Sequence, residues 1–131
     1  MLERLKLLED NIVELIGLKN RYSLEDIASD KSRQWALRYG FLESIQIVID
    51  VACHIVSKYN LGSPSTYSEC IELLTKYKYI DEDLSDRVSG MVGLRNIFVH
   101  EYITVDTDKL YGLLESVKDL KEFAEKTKEY F

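Results

Sequence analysis

Apolar residues recur at helical intervals along most of the chain. Between Leu2 and Arg21, Leu5, Leu8, Ile12, Leu15 and Ile16 follow one another at spacings of three, four and one, which predicts a first helix. Ser23 with Asp26 three residues later resembles a capping box, so a second helix is expected from near Leu24 to Tyr59, with room for a break near Asp30. The stretch Trp35 to Tyr59 is apolar around most of its circumference and predicts a central helix packed on several sides. Leu61-Gly62-Ser63-Pro64-Ser65 should end it, with Gly62 as C-cap and Pro64 unable to continue a helix. A short helix is expected from Tyr67 to Tyr77. Asp81 or Asp83 can start another that carries Leu84, Val88, Met91, Val92 and Leu94 toward Arg95. The pattern breaks near Ile103-Thr104-Val105-Asp106, and Asp106 or Thr107 can cap a last helix through Tyr130. The expectation is an all-α bundle of about five helices forming a single domain over residues 1–131, without repeats or linkers.

Composition narrows this reading. One proline and six glycines favour long helices over a strand-and-turn architecture. Charges at helical intervals in Met1 to Asp10 argue against a signal or transit peptide. No segment is expected to reach the roughly 20 apolar residues that span a bilayer, so a cytoplasmic protein without a membrane partner is expected. Cys53 and Cys70 stand 17 positions apart, without the short paired spacing of a zinc site, and are expected to be free, buried thiols. No metal and no cofactor are expected. The net charge of −6 opposes a protein that coats nucleic acid, so an RNA substrate would have to meet a local basic pocket.

Candidate chemistry concentrates in Arg95-Asn96-Ile97-Phe98-Val99-His100-Glu101-Tyr102. If one helix ran through it, Arg95 would lie amid an apolar arc of Leu84, Val88, Met91, Val92, Leu94, Phe98, Val99 and Tyr102. A cation there needs an anionic partner or a wet cleft. On the same helix His100 lies roughly 140° from Arg95 and roughly 40° from Asn96. Arg95 and His100 would then converge if the helix loosened near His100, or if a second copy packed across this surface. Metal-free RNA cleavage needs a base for the 2′-hydroxyl, an acid for the leaving 5′-oxygen and a cation for the charged phosphorane. Histidine can fill either proton-transfer role near neutral pH, and arginine fits phosphate oxygens. The plainer alternatives are a histidine that favours a helix dipole, an arginine paired with a structural carboxylate and a Tyr102 that belongs to the core.

Glu43, Gln46, Asp50 and His54, spaced by three, four and four, form a polar stripe on the central helix. It is either a solvated face or the border of a dimer cleft, with Asp50 or Glu43 pairing Arg95 or orienting His100; His54 reads as structural. Arg21, Lys76, Lys78 and Arg87 are scattered cations that suit RNA attraction or solvated faces equally.

Met91-Val92-Gly93-Leu94-Arg95-Asn96, then His100 and Tyr102, resembles the HepT family of the HEPN superfamily, whose signature is Arg, four residues, His, one residue, Tyr. Arg38-Tyr39, Ser44-Ile45-Gln46, Ile49 through Val56, Pro64 and Tyr67-Ser68-Glu69 match in order as well, so the resemblance covers about residues 30 to 131. It implies a homodimeric, metal-independent endoribonuclease toxin paired with a small nucleotidyltransferase antitoxin. Arg95 and His100 would be the catalytic pair, supported by Asn96, Asp50 and Glu43. Tyr102 would be the tyrosine to which the antitoxin attaches AMP. Tyr102 lies about 20° from Arg95 on a continuous helix, so an added phosphate would compete for that arginine. Two other readings stand beside this one: a non-catalytic binding partner of a nucleotidyltransferase, and a purely structural helical dimer, which leaves Arg95 unexplained.

Overall fold

The computed structural model describes residues 1–95 and 106–131. Asn96, His100 and Tyr102, with the expected pattern break at 103–105, lie outside the described residues. The first helix, α1, spans Leu2–Arg21 and buries Leu5, Leu8, Ile12 and Leu15; Ile16, expected beside them, is left exposed. At Ser23 the capping box is complete. The Asp26 N–H donates to Ser23 Oγ at 3.2 Å and the Ser23 N–H donates to Asp26 Oδ2 at 2.9 Å, starting α2 at Leu24–Ala28. The break near Asp30 is also present: its carboxylate accepts from the Ser32 N–H at 2.9 Å and caps α3, Lys31–Lys58.

Helix α3 organises the fold. Ile47, Val48 and Ile49 are consecutive and all buried, and steps of about 100° per residue make its buried surface wider than half the helix. The remaining arc carries Trp35, Tyr39, Glu43, Gln46 and Asp50. Contrary to the sequence expectation, α3 is long and apolar enough to cross a membrane by length and composition, yet over half of its most apolar window is buried inside this fold. The helix ends in a Schellman motif. Leu61 N–H donates to Val56 O at 2.9 Å and Asn60 N–H to Ser57 O at 3.3 Å. The left-handed position falls to Asn60 (φ 54°), where Gly62 had been expected to act.

Helix α4, Tyr67–Lys76, packs on α3 and brings Cys70 against Cys53. Their Cα atoms stand 5.1 Å apart and the sulfurs form a disulfide, which corrects the expectation of two free thiols. A separation of 17 residues carries no information about this pairing; the packing of the two helices decides it. Asp81 caps α5, Glu82–Gly93, by accepting from the Leu84 N–H at 2.8 Å. The expected single last helix is instead α6 (Thr107–Gly112), a 3-10 turn (Leu113–Ser116), α7 (Val117–Thr127) and a final 3-10 turn (Lys128–Tyr130). Leu110, Leu114, Val117 and Leu120 are all buried, at spacings of four, three and three. At about 100° per residue these positions share one arc, the side that faces the core.

Among the scattered cations, Arg87 proves to be structural. Its Nη1 meets Asp119 Oδ1 at 2.5 Å and Glu122 Oε2 at 3.1 Å, and its Nη2 meets Asp83 Oδ2 at 3.0 Å, joining α5 to α7. Those carboxylates raise the Arg87 pKa. Asp119 is 5% exposed and has this arginine as its ion-pair partner. Arg87→Ala is expected to lower stability, because a nearly buried carboxylate is left unpaired. Urea melts should show that loss, and an Arg87→Leu/Asp119→Leu double variant should recover most of it.

Candidate functional site

Helix α5 stops at Gly93, and Leu94 N–H bonds to Met91 O in a turn before helical backbone resumes at Arg95. The continuous helix assumed in placing Arg95 among Leu84, Val88 and Met91 is therefore interrupted one residue before the arginine. Leu94 itself keeps right-handed helical backbone (φ −79°, ψ −14°), and Arg95 faces α3. Its Nε donates to Gln46 Oε1 at 2.6 Å, and its guanidinium carbon lies 5.4 Å from the centre of the Tyr67 ring on α4.

The contact with Gln46 continues along the stripe. Gln46 Nε2 donates to Asp50 Oδ1 at 3.0 Å, and Asp50 Oδ2 pairs with Arg4 from α1. Asp50, at 28% side-chain exposure, is thus joined to Arg95 only through Gln46. Glu43 lies one turn away in a separate cluster. It accepts from the Tyr39 hydroxyl at 2.6 Å and from Asn11 Nδ2 at 2.9 Å, and these donors, Tyr39 first, hold its carboxyl below the usual range. The expected stripe therefore splits: Gln46 and Asp50 reach toward Arg95, while Glu43 ties α3 to α1. His54 closes the far end, stacked on Phe131 with ring centres 5.5 Å apart. Burial first, then the positive chain terminus and Lys58, lowers its pKa.

Gln46 belonged to the expected stripe, but its role as the direct partner of Arg95 joins residues 49 positions apart and had no signal in the spacing. Neither Arg4 nor Tyr67 carried a positional signal for this site in the helical pattern, since both arrive from other helices. Among the described residues no carboxylate lies within 4.0 Å of the Arg95 guanidinium. Lys76 and Lys78 line a hollow that also holds Asp81 and Glu82, so their charge is locally offset. No group of three His, Cys, Asp or Glu side chains among the described residues could hold a metal ion.

The described residues form an all-helical fold built on one half-polar central helix, with an arginine held against that helix by an amide. Comparison gives the family: residues 1–127 match the HepT-like family, described as ribonuclease HepT-like, and the chain belongs to it. It is 36% identical over 76 residues to the mRNA nuclease HepT of Shewanella oneidensis, covering 57% of each chain. It is 32% identical over 89 residues to the tRNA nuclease HepT of Aphanizomenon flos-aquae, covering 68% of this chain and 60% of that one. The chain thus aligns with about 60% of the length of these relatives. Its fold superposes on the tri-AMPylated HEPN toxin of Shewanella oneidensis, solved in complex with MNT antitoxin, with TM-score 0.87 and 25% identity, covering 98% of this chain and 96% of that one.

Protonation of His54 gives a pH test. Its folded pKa lies below the ordinary value of about 6.5, so its contribution to stability is full above that pH and is lost as pH falls through the folded value. The urea midpoint should fall between pH 8 and pH 5.5 in the natural chain, and His54→Gln should flatten part of that fall.

Proposed function

We propose that this chain is a metal-independent endoribonuclease toxin of a toxin-antitoxin pair, acting as a homodimer and neutralised when a partner nucleotidyltransferase attaches AMP to it. The observation that carries the reading is Arg95: half-buried, anchored through Nε, and without a carboxylate in ion-pair range among the described residues. Its charge is kept available to an external anion. Family membership supports the ribonuclease reading, as do the mRNA and tRNA nuclease names of two relatives and an AMPylated toxin bound to its antitoxin as a structural neighbour.

In this mechanism Arg95 and His100 are the catalytic residues. One His100 takes the 2′-hydroxyl proton as that oxygen attacks phosphorus. An acid in the same cleft, the second copy's histidine, protonates the departing 5′-oxygen while Arg95 stabilises the phosphorane. The products are a 2′,3′-cyclic phosphate and a 5′-hydroxyl. Asn96, Asp50 and Glu43 are assigned supporting roles, Asp50 through Gln46 and Glu43 by anchoring α3 to α1. The exposed Trp35 and Tyr39 on the arc of α3 that carries Gln46 supply apolar area suited to a second copy. Residues 1–131 form one HEPN-like domain that works in the cytoplasm on RNA, without a membrane or cofactor.

Expression of the natural chain alone should arrest growth and yield RNA fragments with 5′-hydroxyl ends, whereas His100→Ala and Arg95→Ala should do neither. Identical behaviour of the natural chain and His100→Ala, with RNA intact in both, would sink the nuclease reading in favour of a non-catalytic partner of the nucleotidyltransferase. Incubation with the partner nucleotidyltransferase and ATP should add AMP masses to the natural chain but none to Tyr102→Phe; a Tyr102→Phe chain that still gains them places the modification elsewhere.

A further inference from the structure

Arg87 and Arg95 are bound in opposite ways. Arg87 is surrounded by three carboxylates and its charge is consumed within the fold. Arg95 is held as firmly at one atom, Nε to Gln46 at 2.6 Å, but by a neutral carbonyl oxygen. A glutamine amide can present either its oxygen or its nitrogen. Here the choice is forced: the Asp50 carboxylate, paired with Arg4, accepts from the Gln46 NH₂ group and so turns the Gln46 carbonyl toward Arg95.

We propose that Gln46 is a positioning residue that fixes Arg95 for a phosphate group without neutralising it, with its amide orientation set by the Asp50–Arg4 pair. Tyr67 supports the guanidinium against its ring, and the terminal nitrogens of Arg95 are the ones offered to phosphate oxygens. As far as it concerns RNA phosphate, the proposal rests on the ribonuclease reading; the phosphate-holding geometry is separable from catalysis. A glutamate at position 46 would keep the shape of the side chain but set a carboxylate on Arg95, and one charge would leave the site. A methionine would keep length while removing the acceptor, so Arg95 would retain its charge and lose its aim.

The test follows the Arg95 Nε–Hε NMR signal during titration with inorganic phosphate, beside binding and cleavage of RNA. In the natural chain phosphate should shift that signal saturably. Gln46→Glu should weaken the response at least about tenfold, the loss of one charge-assisted contact. It should also reduce the salt slope for a 2′-O-methyl oligonucleotide by about 0.7, one phosphate neutralisation on single-stranded RNA. Gln46→Met should leave the slope unchanged and lower kcat more than it raises KM. The two variants are independent, so misfolding of one leaves the other decisive. A natural chain unresponsive to phosphate, or a Gln46→Glu chain equal to it in phosphate response and salt slope, overturns the proposal even if RNA is cut. Intact RNA together with a Gln46-dependent phosphate response supports it and counts instead against the nuclease reading.

Discussion

Burial of slightly more than half of α3 is the constraint on which the other parts rest. Ile47, Val48 and Ile49 are packed on successive directions, and α1, α2, α4, α5, α6 and α7 all contact this one helix. A helix so enclosed has few rotations open to it, because turning it would expose apolar surface worth about 25 cal/mol per Å². Its leftover arc, with Tyr39, Glu43, Gln46 and Asp50, is consequently placed with the rigidity of the core. Polar side chains on that arc act as fixed points for residues arriving from elsewhere.

Arg95 is the main beneficiary. It follows the turn at Leu94 and bonds to Gln46 on α3, while Tyr67 on α4 backs the guanidinium from another helix. The Cys53–Cys70 disulfide joins α3 and α4, the two helices that hold this arginine, at positions near Asp50 and Tyr67. Closing a loop of that size restricts the unfolded chain by about 3 kcal/mol in the chain-entropy picture. The same link also opposes separation of the two supports of Arg95.

The two well-placed arginines show how environment assigns a role to one residue type. Arg87 sits between α5 and α7 and repays the burial of Asp119. Arg95 is bound through an amide, and the nearest carboxylate in its network, Asp50, is already engaged by Arg4. One arginine contributes to stability. The other has no carboxylate in ion-pair range among the described residues, and in an acidic chain of net charge −6 such a local cation suits a phosphate-bearing ligand.

Several helix starts were legible in the sequence because caps are local chemistry: Ser23 with Asp26, Asp81 and Asp106 each bond to backbone within three residues. The central helix and its polar stripe were legible too, since periodicity along one helix needs no knowledge of the others. The motif of Arg95, His100 and Tyr102 identified the family from residue order. Tertiary structure alone decided the partner of Arg95, the split of the stripe between Glu43 and Asp50, the structural use of Arg87 and the pairing of Cys53 with Cys70. Each of those joins residues from different helices, and their distance is set by packing of the whole core, a quantity that no local spacing along the chain encodes.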